Sequence, residues 1–358
     1  MPPERRNRAP TPASKPTAVP AGLTYRDAGV DLAAAASTKE IIKRLALTTH
    51  TAQVKGPAGF FAGAMEFPPG SDTLLVASTD SVGTKVKVAA AAHRYRGLGI
   101  DVVNQNVNDI LAAGGEPIFF LDYIGLGRMD SKVVAEIVEG VAEACRAAGC
   151  SLIGGETAEL PGMYAPGEFD LVGFVVGAVR KDRIITGADA ALGDVLIGLP
   201  SSGPHTNGFS LIRKVFGTDQ DPGAINESPR ELDGLSLADA LLAPHRSYLS
   251  DLRPVLRDVR GLAHITGGGF FKNLPRSIPP HSTAVIERDS WAVPPLFRLI
   301  QSRGRILDEE MYRVFNMGIG MVAVVDPERA DSVCSKLPGA RIIGRLEKKT
   351  GSATVRFQ

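Results

Sequence analysis

The chain has 358 residues, of which 44% are hydrophobic and 22% charged, and its formal net charge is +1 at pH 7. This composition is typical of an ordinary folded protein, and its length predicts two domains. The near-zero charge excludes a general electrostatic attraction to nucleic acid or to a membrane surface. No apolar run approaches the ~20 residues of a transmembrane helix. Cys145, Cys150 and Cys334 form no disulfide framework and no metal-ligand spacing, which favours a reducing, cytoplasmic location.

Residues 1–22 form an extension that is rich in proline and arginine. The first 20 residues contain six prolines and three arginines, and they lack the apolar core of a secretory signal. This composition predicts a disordered tail, with a functional arm as the alternative.

Residues 23–185 are predicted to form a first domain with strands and helices. Its earliest helix is expected to start at a capping box, residues 37–40, because a serine and a glutamate three residues later satisfy the free N–H groups of a first turn. The clearest helix is 130–149, where apolar residues repeat at helical spacing and Gly149 supplies the stop. Apolar and small-residue runs predict strands at 73–79, 117–124 and 169–179 and a helix at 81–92.

Residues 186–358 are predicted to form a second domain of similar size. The charged, weakly periodic stretch 180–194 predicts the boundary, and residues 218–231 read as a surface excursion because they contain proline and glycine. Strands are expected from residue 195 and at 318–325, 341–346 and 354–357. Helices are expected at 207–216, at 235–259 with interruptions at Pro244 and Pro254, at 294–303 and after Asp326. The predicted fold class is mixed α/β (α+β) with two domains.

Three carboxylates carry the most informative pattern in the chain. Asp80, Asp109 and Glu156 each follow an apolar run or stand beside glycine and small residues, as acids at the ends of strands do. Carboxylate oxygens hold a hard divalent cation, and N–H groups exposed in the following turns meet phosphate charge. Taken singly, an Asp in such a place is as typical of a helix cap. Together the three predict a magnesium–nucleotide site with Asp80, Asp109 and Glu156 as metal ligands.

Residues beside these acids are predicted to contact the nucleotide. The turn after Asp80 lacks the spacing of a Walker A loop, but it places a lysine close to the acid. Paired glycines before Glu156 permit the backbone to approach a ligand closely. The predicted nucleotide contacts are Asp80, Gly83, Thr84, Lys85, Asn108, Gly154, Gly155, Glu156 and Thr157.

Two loops of the second domain are predicted to hold the substrate. Residues 201–208 combine hydroxyls and glycines before a helix, which is typical of an anion cradle, and residues 266–270 contain three consecutive glycines. His205 is a candidate for proton transfer or for polarising an amide, and its structural alternative is a histidine that bonds the backbone and orders the loop. The predicted substrate contacts are Ser202, Gly203, His205, Thr206, Asn207, Gly267, Gly268 and Gly269.

Two further segments have open interpretations. Residues 25–31, with Asp27 and Asp31, either fold over a nucleotide as a lid or pin the start of the ordered chain. Residues 310–320 read either as a turn at a ligand-binding edge or as a plain helix end.

In chain order, these motifs resemble the aminoimidazole ribonucleotide synthetase family of purine biosynthesis. The matching segments are 25–31, 80–85, 108–109, 154–159, 201–210, 266–270 and 310–320, so the resemblance covers about residues 23–357. Segments 116–123 and 161–164 resemble this family specifically. Broader relatives, which share the logic of ATP binding, include formylglycinamidine ribonucleotide synthetase, selenophosphate synthetase, thiamine-phosphate kinase and a hydrogenase maturation protein.

The resemblance implies a homodimer formed through the sheet of the first domain and a second domain that is a mixed α/β sandwich. It also implies ATP and Mg²⁺ as cofactors and formylglycinamidine ribonucleotide as the substrate. ATP would phosphorylate the formyl oxygen, and an amidine-side nitrogen of the substrate would attack the same carbon. Phosphate then leaves, and aminoimidazole ribonucleotide and ADP are formed. The protein would mainly position the groups and neutralise phosphate charge.

Carried over to this chain, the resemblance makes His205, Asp80 and Asp109 catalytic and Asp27 and Asp31 part of the nucleotide lid. The chain departs from the family pattern at residues 55–60, which contain fewer glycines, and at Met317, where some relatives carry cysteine. Two alternatives remain. One is another ATP-using relative such as a kinase or selenophosphate synthetase, although the absence of any cysteine before Cys145 disfavours the latter. The other is a non-catalytic nucleotide-binding protein.

Overall fold

The computed structural model describes residues 22–57 and 59–358, so the prediction for the extension at 1–22 lies almost wholly outside the described residues. The chain builds two six-stranded sheets, the first before Arg180 and the second after Val195. Helices cover one face of the first sheet, and the two-domain mixed α/β fold predicted from the sequence is confirmed. Within the described residues, no helix is long and apolar enough to cross a membrane.

The first sheet has the strand order β1-β2-β3-β6-β4-β5. Neighbouring strands are antiparallel except β4 and β5, which are parallel and joined by a helix. Its strands are β1 (Val54–Lys55), β2 (Gly63–Glu66), β3 (Thr73–Ser81), β4 (Glu116–Leu126), β5 (Ser151–Glu159) and β6 (Phe169–Arg180).

The second sheet has the order β12-β9-β11-β7-β10-β8 and is antiparallel except between β12 and β9. Its strands β9 and β10 are buried along their whole length. The strands are β7 (Val195–Pro200), β8 (Val259–His264), β9 (Ser282–Ile286), β10 (Ile319–Val325), β11 (Arg341–Lys348) and β12 (Val355–Phe357).

Eleven α-helices are assigned in the described part of the chain. The long helix α4 confirms its sequence prediction: Asp130 accepts hydrogen bonds from the first N–H groups, and Gly149 ends the helix in the left-handed conformation. The helices are α1 (Leu32–Leu47), α2 (Lys85–Ala92), α3 (Arg96–Ala112), α4 (Ser131–Ala148), α5 (Phe209–Phe216), α6 (Leu237–Leu241), α7 (Leu249–Leu252), α8 (Gly269–Asn273), α9 (Pro295–Gly304), α10 (Asp308–Val314) and α11 (Pro327–Lys336).

The first helix begins five residues before the predicted capping box. Asp31 caps α1 by accepting hydrogen bonds from the N–H groups of Ala33 and Ala34, so Ser37 lies inside the helix. The alanine-rich run before Ser37 favours a helical backbone, so the helix extends toward the N-terminus as far as Asp31, which is the stronger cap. The prediction at residues 37–40 was therefore wrong about where the helix starts.

Helix α3 is the central element of the first domain. It packs on the inner face of the first sheet and on α4, and thirteen of its 17 residues are buried. Asp109 lies on this helix and not at the end of a strand, which corrects the sequence interpretation. Residues 101–108 look polar because one face of α3 meets the second domain instead of water.

Candidate active site

The site begins where β3 passes under α3. Asp80 continues the face of β3 that carries the buried Val76 and Ser78, so it lies on the side covered by α3. The Ser78 hydroxyl donates a hydrogen bond to Asp109 Oδ2 at 3.1 Å, and the Asn106 side chain donates to the main-chain oxygen of Asp80 at 3.4 Å. These bonds bring together Asp80 and Asp109, as their motifs predicted.

The two acids repel each other. Asp80 keeps an open surface, but protein atoms crowd round its carboxyl, and this desolvation, followed by the negative charge of Asp109, raises the pKa of Asp80 to about 6. Two carboxylates held side by side in this way offer oxygen ligands to a hard cation, whose charge would relieve the repulsion. The donor set therefore fits Mg²⁺.

His264, at the end of β8, supports Asp109 from the second domain. Its Nδ1 lies 2.8 Å from Asp109 Oδ1, and its Nε2 lies 3.0 Å from Nε2 of His245. A carboxylate only accepts hydrogen bonds, so His264 donates from Nδ1, and in the neutral ring Nε2 accepts from His245. Sequence reasoning missed His264, although it stands two residues before the predicted glycine cradle.

His205 does not reach the carboxylates. Its side chain is buried, its ring stacks on His245 with centroids 3.8 Å apart, and its Nε2 accepts the backbone N–H of Ser202 at 3.3 Å. Burial holds the pKa of His205 well below its usual value. The arrangement fits the structural alternative, a histidine that orders the loop, and not the predicted proton shuttle.

His205, His245 and His264 lie close enough together to be considered as a metal site. Imidazole binds a metal along the nitrogen lone pair, in the plane of the ring. The rings of His205 and His245 are stacked with only 20° between their planes, so their lone pairs do not converge on one ion. This cluster is a packed hydrogen-bonded group at the domain seam.

A polar stripe on α3 joins the two domains. Asn108 Nδ2 donates to the backbone oxygen of Arg246 at 2.8 Å, and its Oδ1 accepts the N–H of Tyr248 at 3.0 Å. Asn104 donates to the backbone oxygen of His245 at 2.7 Å. Both ends of Asn108 are thus occupied by main-chain groups, and the predicted nucleotide contact at this position is instead a connection between domains.

Lys85 belongs to the same seam. Its ammonium lies 2.7 Å from Asp101 and donates to the backbone oxygen of Ala243 at 3.1 Å, with 1% of the side chain exposed. Burial raises the pKa of Asp101, and the charge of Lys85 opposes that shift. Lys85 is therefore enclosed and paired, which corrects its prediction as a nucleotide contact.

The turn after β3 brings together predicted nucleotide and substrate residues. Gly83 has a φ of +58°, and a side chain there would lie 3.9 Å from the backbone oxygen of Thr206. The Thr206 hydroxyl donates to Gln105 at 2.6 Å, and Gln105 donates to the backbone oxygen of Ser81 at 2.8 Å. Thr84, at the N-cap of α2, makes no side-chain capping bond.

Residues 201–208 are fixed by side chains around them. Ser202 donates to the backbone oxygen of Pro244 at 2.5 Å, and Asn316 donates to the backbone oxygen of Gly203 at 2.9 Å. Asn316 thus closes the loop from the 310–320 segment. Asn207 faces Gly267, where an added Cβ would lie 3.1 Å from the Asn207 amide oxygen.

The three consecutive glycines serve different purposes. Gly268 and Gly269 have φ angles of +96° and +58°, and a side chain on Gly269 would strike the backbone oxygen of Tyr312 at 2.0 Å. A side chain on Gly268 would meet the aliphatic stem of Lys272. Backbone packing therefore requires Gly269, and Gly267 is the glycine that lies against a predicted substrate residue.

Glu156 does not join the acid pair within one chain. Asp80 pairs with Gly173, Gly173 pairs with Asp122, and Asp122 pairs with Gly155, the residue before Glu156. Glu156 is therefore three strand spacings, or about 14 Å, from Asp80. It also points to the opposite face of the sheet. Gly154, Gly155 and Thr157 lie within β5 and not in a turn, and a side chain on Gly155 would overlap the Asp122 carboxylate.

Asp27 and Asp31 organise the start of the described chain. Asp27 accepts bonds from the N–H and hydroxyl of Thr24, while Asp31 caps α1 and pairs with Arg26. Both carboxylates are used locally, so the structure favours the alternative in which this segment pins the chain.

A basic cleft of about 590 Å³ lies beside the acid pair, between α1, the β1–β2 ribbon and α8. The charge of Lys39 acts on Asp80, and that of Arg276 acts on Asp109. Gly56, Gly59 and Gly63, in the segment that departs from the family pattern, also line it. Sequence reasoning missed the cleft. Its basic side chains are Lys39, Lys43, Lys55, Lys272 and Arg276.

The fold matches a known class. A family model described as AIR synthase related protein, N-terminal domain, matches residues 61–179, and the corresponding C-terminal domain matches residues 191–356. Among solved structures, AaThiL complexed with AMPPCP and TMP is 17% identical with a TM-score of 0.62, covering 88% of this chain and 92% of that one. The hydrogenase maturation protein HypE in complex with ATP is 19% identical with a TM-score of 0.56, covering 79% and 81%. At these identities the likeness shows the fold.

Sequence relatives narrow the class. A phosphoribosylformylglycinamidine cyclo-ligase of Caldicellulosiruptor bescii is 48% identical, covering 91% of this chain and 97% of its own length. Its counterpart in Myxococcus xanthus is 47% identical, covering 93% and 98%. The chain therefore belongs to the phosphoribosylformylglycinamidine cyclo-ligase family.

Proposed function

We propose that this chain is an ATP-dependent C–N ligase that closes the imidazole ring of aminoimidazole ribonucleotide from formylglycinamidine ribonucleotide, in purine biosynthesis. Membership of the cyclo-ligase family supports the reaction. The observation that supports ATP binding at this site is the pair Asp80 and Asp109 beside a basic cleft. A nucleoside triphosphate with its cation needs negative groups for the cation and positive groups for the phosphates.

The chain's own residues would divide the work. Asp80 and Asp109 would hold Mg²⁺, which when bound neutralises phosphate charge during transfer. The Arg276 guanidinium lies 3.7 Å from the centroid of the Phe61 ring, and this stacking would hold it in place to bind the phosphates. His264 fixes the orientation of Asp109. Thr206 borders the turn after β3, and Asn207 faces Gly267; these residues would position the substrate so that its formyl oxygen faces the terminal phosphate.

An isotope experiment tests this function. Substrate labelled with ¹⁸O in the formyl group should give labelled inorganic phosphate, because phosphorylation turns that oxygen into the leaving group. ADP should form only when the substrate is present. Unlabelled phosphate, or ADP formed equally without substrate, would contradict the proposal.

Cation binding should depend on pH through Asp80. Its pKa of about 6 in the folded chain lies above the ordinary carboxyl value, so this group favours the fold at low pH, and the contribution is lost as pH rises through 6. A divalent cation replaces the proton. We therefore expect Mg²⁺ to raise the melting temperature more at pH 8 than at pH 5, measured by scanning calorimetry of the wild type. An equal shift at both pH values would contradict the metal assignment.

We propose further that two copies of the chain form a homodimer through the first sheet. Its face opposite α3 carries exposed apolar side chains: Met65 and Phe174 lie on it by register, and Ile118 and Ile153 are exposed at neighbouring bulges. An exposed apolar set of this kind is typical of a protein interface. A second copy of the chain would cover it.

The Phe174→Glu variant should convert a dimer into a monomer, because it places a charge within the apolar face. Light scattering after size exclusion should give twice 37.8 kDa for the wild type and 37.8 kDa for the variant. Leu307→Glu, at an exposed apolar residue outside the sheet, is the control and should stay dimeric. A monomeric wild type would refute the interface.

The thiols support a cytoplasmic location. Cys145, Cys150 and Cys334 are all free, and free thiols persist in a reducing compartment.

A further inference from the structure

Two lysines from different domains meet across the basic cleft. Lys39 projects from α1 and Lys272 from α8, both line the cleft, and the two ammonium groups are close enough for the charge of Lys39 to act on Lys272. Desolvation, followed by the charge of Lys39, lowers the pKa of Lys272 to about 8. Like charges held together repel each other, so this contact costs free energy in the chain alone.

The surrounding residues do not neutralise these charges. Glu40 is the single acid among five basic side chains that line the cleft. Lys55 lies 3.6 Å from Glu66, whereas Lys39, Lys43, Lys272 and Arg276 make no ion pair with any carboxylate that the structure describes. The Nε of Arg276 is buried without a hydrogen-bond partner. Such a concentration of unpaired positive charge is suited to a compact polyanion.

Gly268, in the glycine-rich loop 266–270, makes room for Lys272. An added Cβ on Gly268 would lie 2.5 Å from Cδ and 2.7 Å from Cβ of Lys272, so the stem of that lysine lies directly over the glycine. Gly268 thereby leaves the space in which Lys272 lies. This explains a glycine that was predicted to contact substrate.

The other lysine stands on a loosely held helix. No side chain of α1 is buried, and Ile41, Ile42 and Leu45 are between 49% and 58% exposed. Little apolar contact therefore fixes α1 against the rest of the chain. An anion bound at Lys39 would hold α1 against α8.

We propose that Lys39 and Lys272 form a clamp for the polyphosphate of a nucleoside triphosphate, and that the bound anion fixes α1 against the second domain. The inference rests on the proposed ATP-dependent function, to which it adds two residues and the ordering of α1. A polyphosphate placed between the ammonium groups changes their mutual repulsion into two attractions.

Calorimetric titration of the full chain with MgATP and with inorganic tripolyphosphate tests the clamp. Lys39→Gln and Lys272→Gln should each raise Kd for both ligands about tenfold, and Lys272→Arg should restore binding. Each glutamine variant should also melt at a higher temperature than the wild type without ligand, because one repelling charge is gone. Lys132→Gln, which removes an exposed charge on α4, should change neither quantity.

Hydrogen exchange provides the second readout. Tripolyphosphate should slow exchange of the α1 amides in the wild type and not in Lys272→Gln. Unchanged Kd values in both glutamine variants, or α1 exchange that does not respond to ligand, would overturn the clamp. The proposed function would remain intact in that case if the wild type turns over ATP. A wild type that binds tripolyphosphate but neither binds nor turns over ATP would instead refute the function.

Discussion

Asp80→Asn is expected to lower kcat/KM by about 100- to 1,000-fold, because it removes a negative charge that would hold Mg²⁺ at the reacting phosphates while preserving the shape of the side chain. The loss should appear in the initial rate of ADP formation measured over a range of substrate concentrations at saturating ATP. The same variant should melt at a higher temperature than the wild type at pH 8 without Mg²⁺, since Asp80 and Asp109 repel each other when both are ionised.

Asp122→Asn is the matched control for that variant. Asp122 lies on the same face of the first sheet as Asp80, two strands away through Gly173. It is outside the acid pair, so its replacement should leave kcat/KM close to the wild-type value. A fully active Asp80→Asn enzyme would refute the carboxylate site, and equal losses in both variants would show that the effect is not specific to the acid pair.

Lys85→Met is expected to have the largest effect on stability. It removes the counter-charge of Asp101 in a buried seam and leaves only the backbone N–H of His245 bonded to that carboxyl, and breaking such a pair typically costs about 3–5 kcal/mol of unfolding free energy. Urea denaturation of the full chain measures this loss. A second consequence is that the domains should separate more easily, because Lys85 also binds the backbone of the second domain at Ala243.

Lys87→Met is the control for the buried pair. Lys87 lies two residues further along α2 and pairs with Glu168 on the surface, with 48% of its side chain exposed. An exposed pair contributes about 0–1 kcal/mol, so this variant should be nearly as stable as the wild type. If Lys85→Met abolished ATP turnover while unfolding at the wild-type urea concentration, the motif-based assignment of Lys85 to phosphate would be right.

The sequence was informative where local chemistry decides the outcome. Capping at Asp130 and Gly149 defined α4, and apolar runs located β3, β4 and β6. The pairing of Asp80 with Asp109 also followed from the motifs. The short strands β8 and β9 were missed because each has only five or six residues and mixes apolar with polar residues, so neither has a distinguishing periodicity.

Errors in the site arose from contacts between distant segments. The motif around Lys85 does not show that Asp101 lies opposite it, and the polar stripe of α3 does not reveal that main-chain groups near residue 246 occupy Asn108. Glu156 was misplaced because strand order decides its distance from Asp80. The basic cleft combines Lys39 with Lys272, 233 positions apart, and only the fold brings them together.

The most direct test of the account is the ratio of ADP to aminoimidazole ribonucleotide formed by the wild type from MgATP and formylglycinamidine ribonucleotide. We expect one ADP for each ring closed, and no ADP when the substrate is omitted. ADP without the imidazole product, or an imidazole product without ADP, would contradict it.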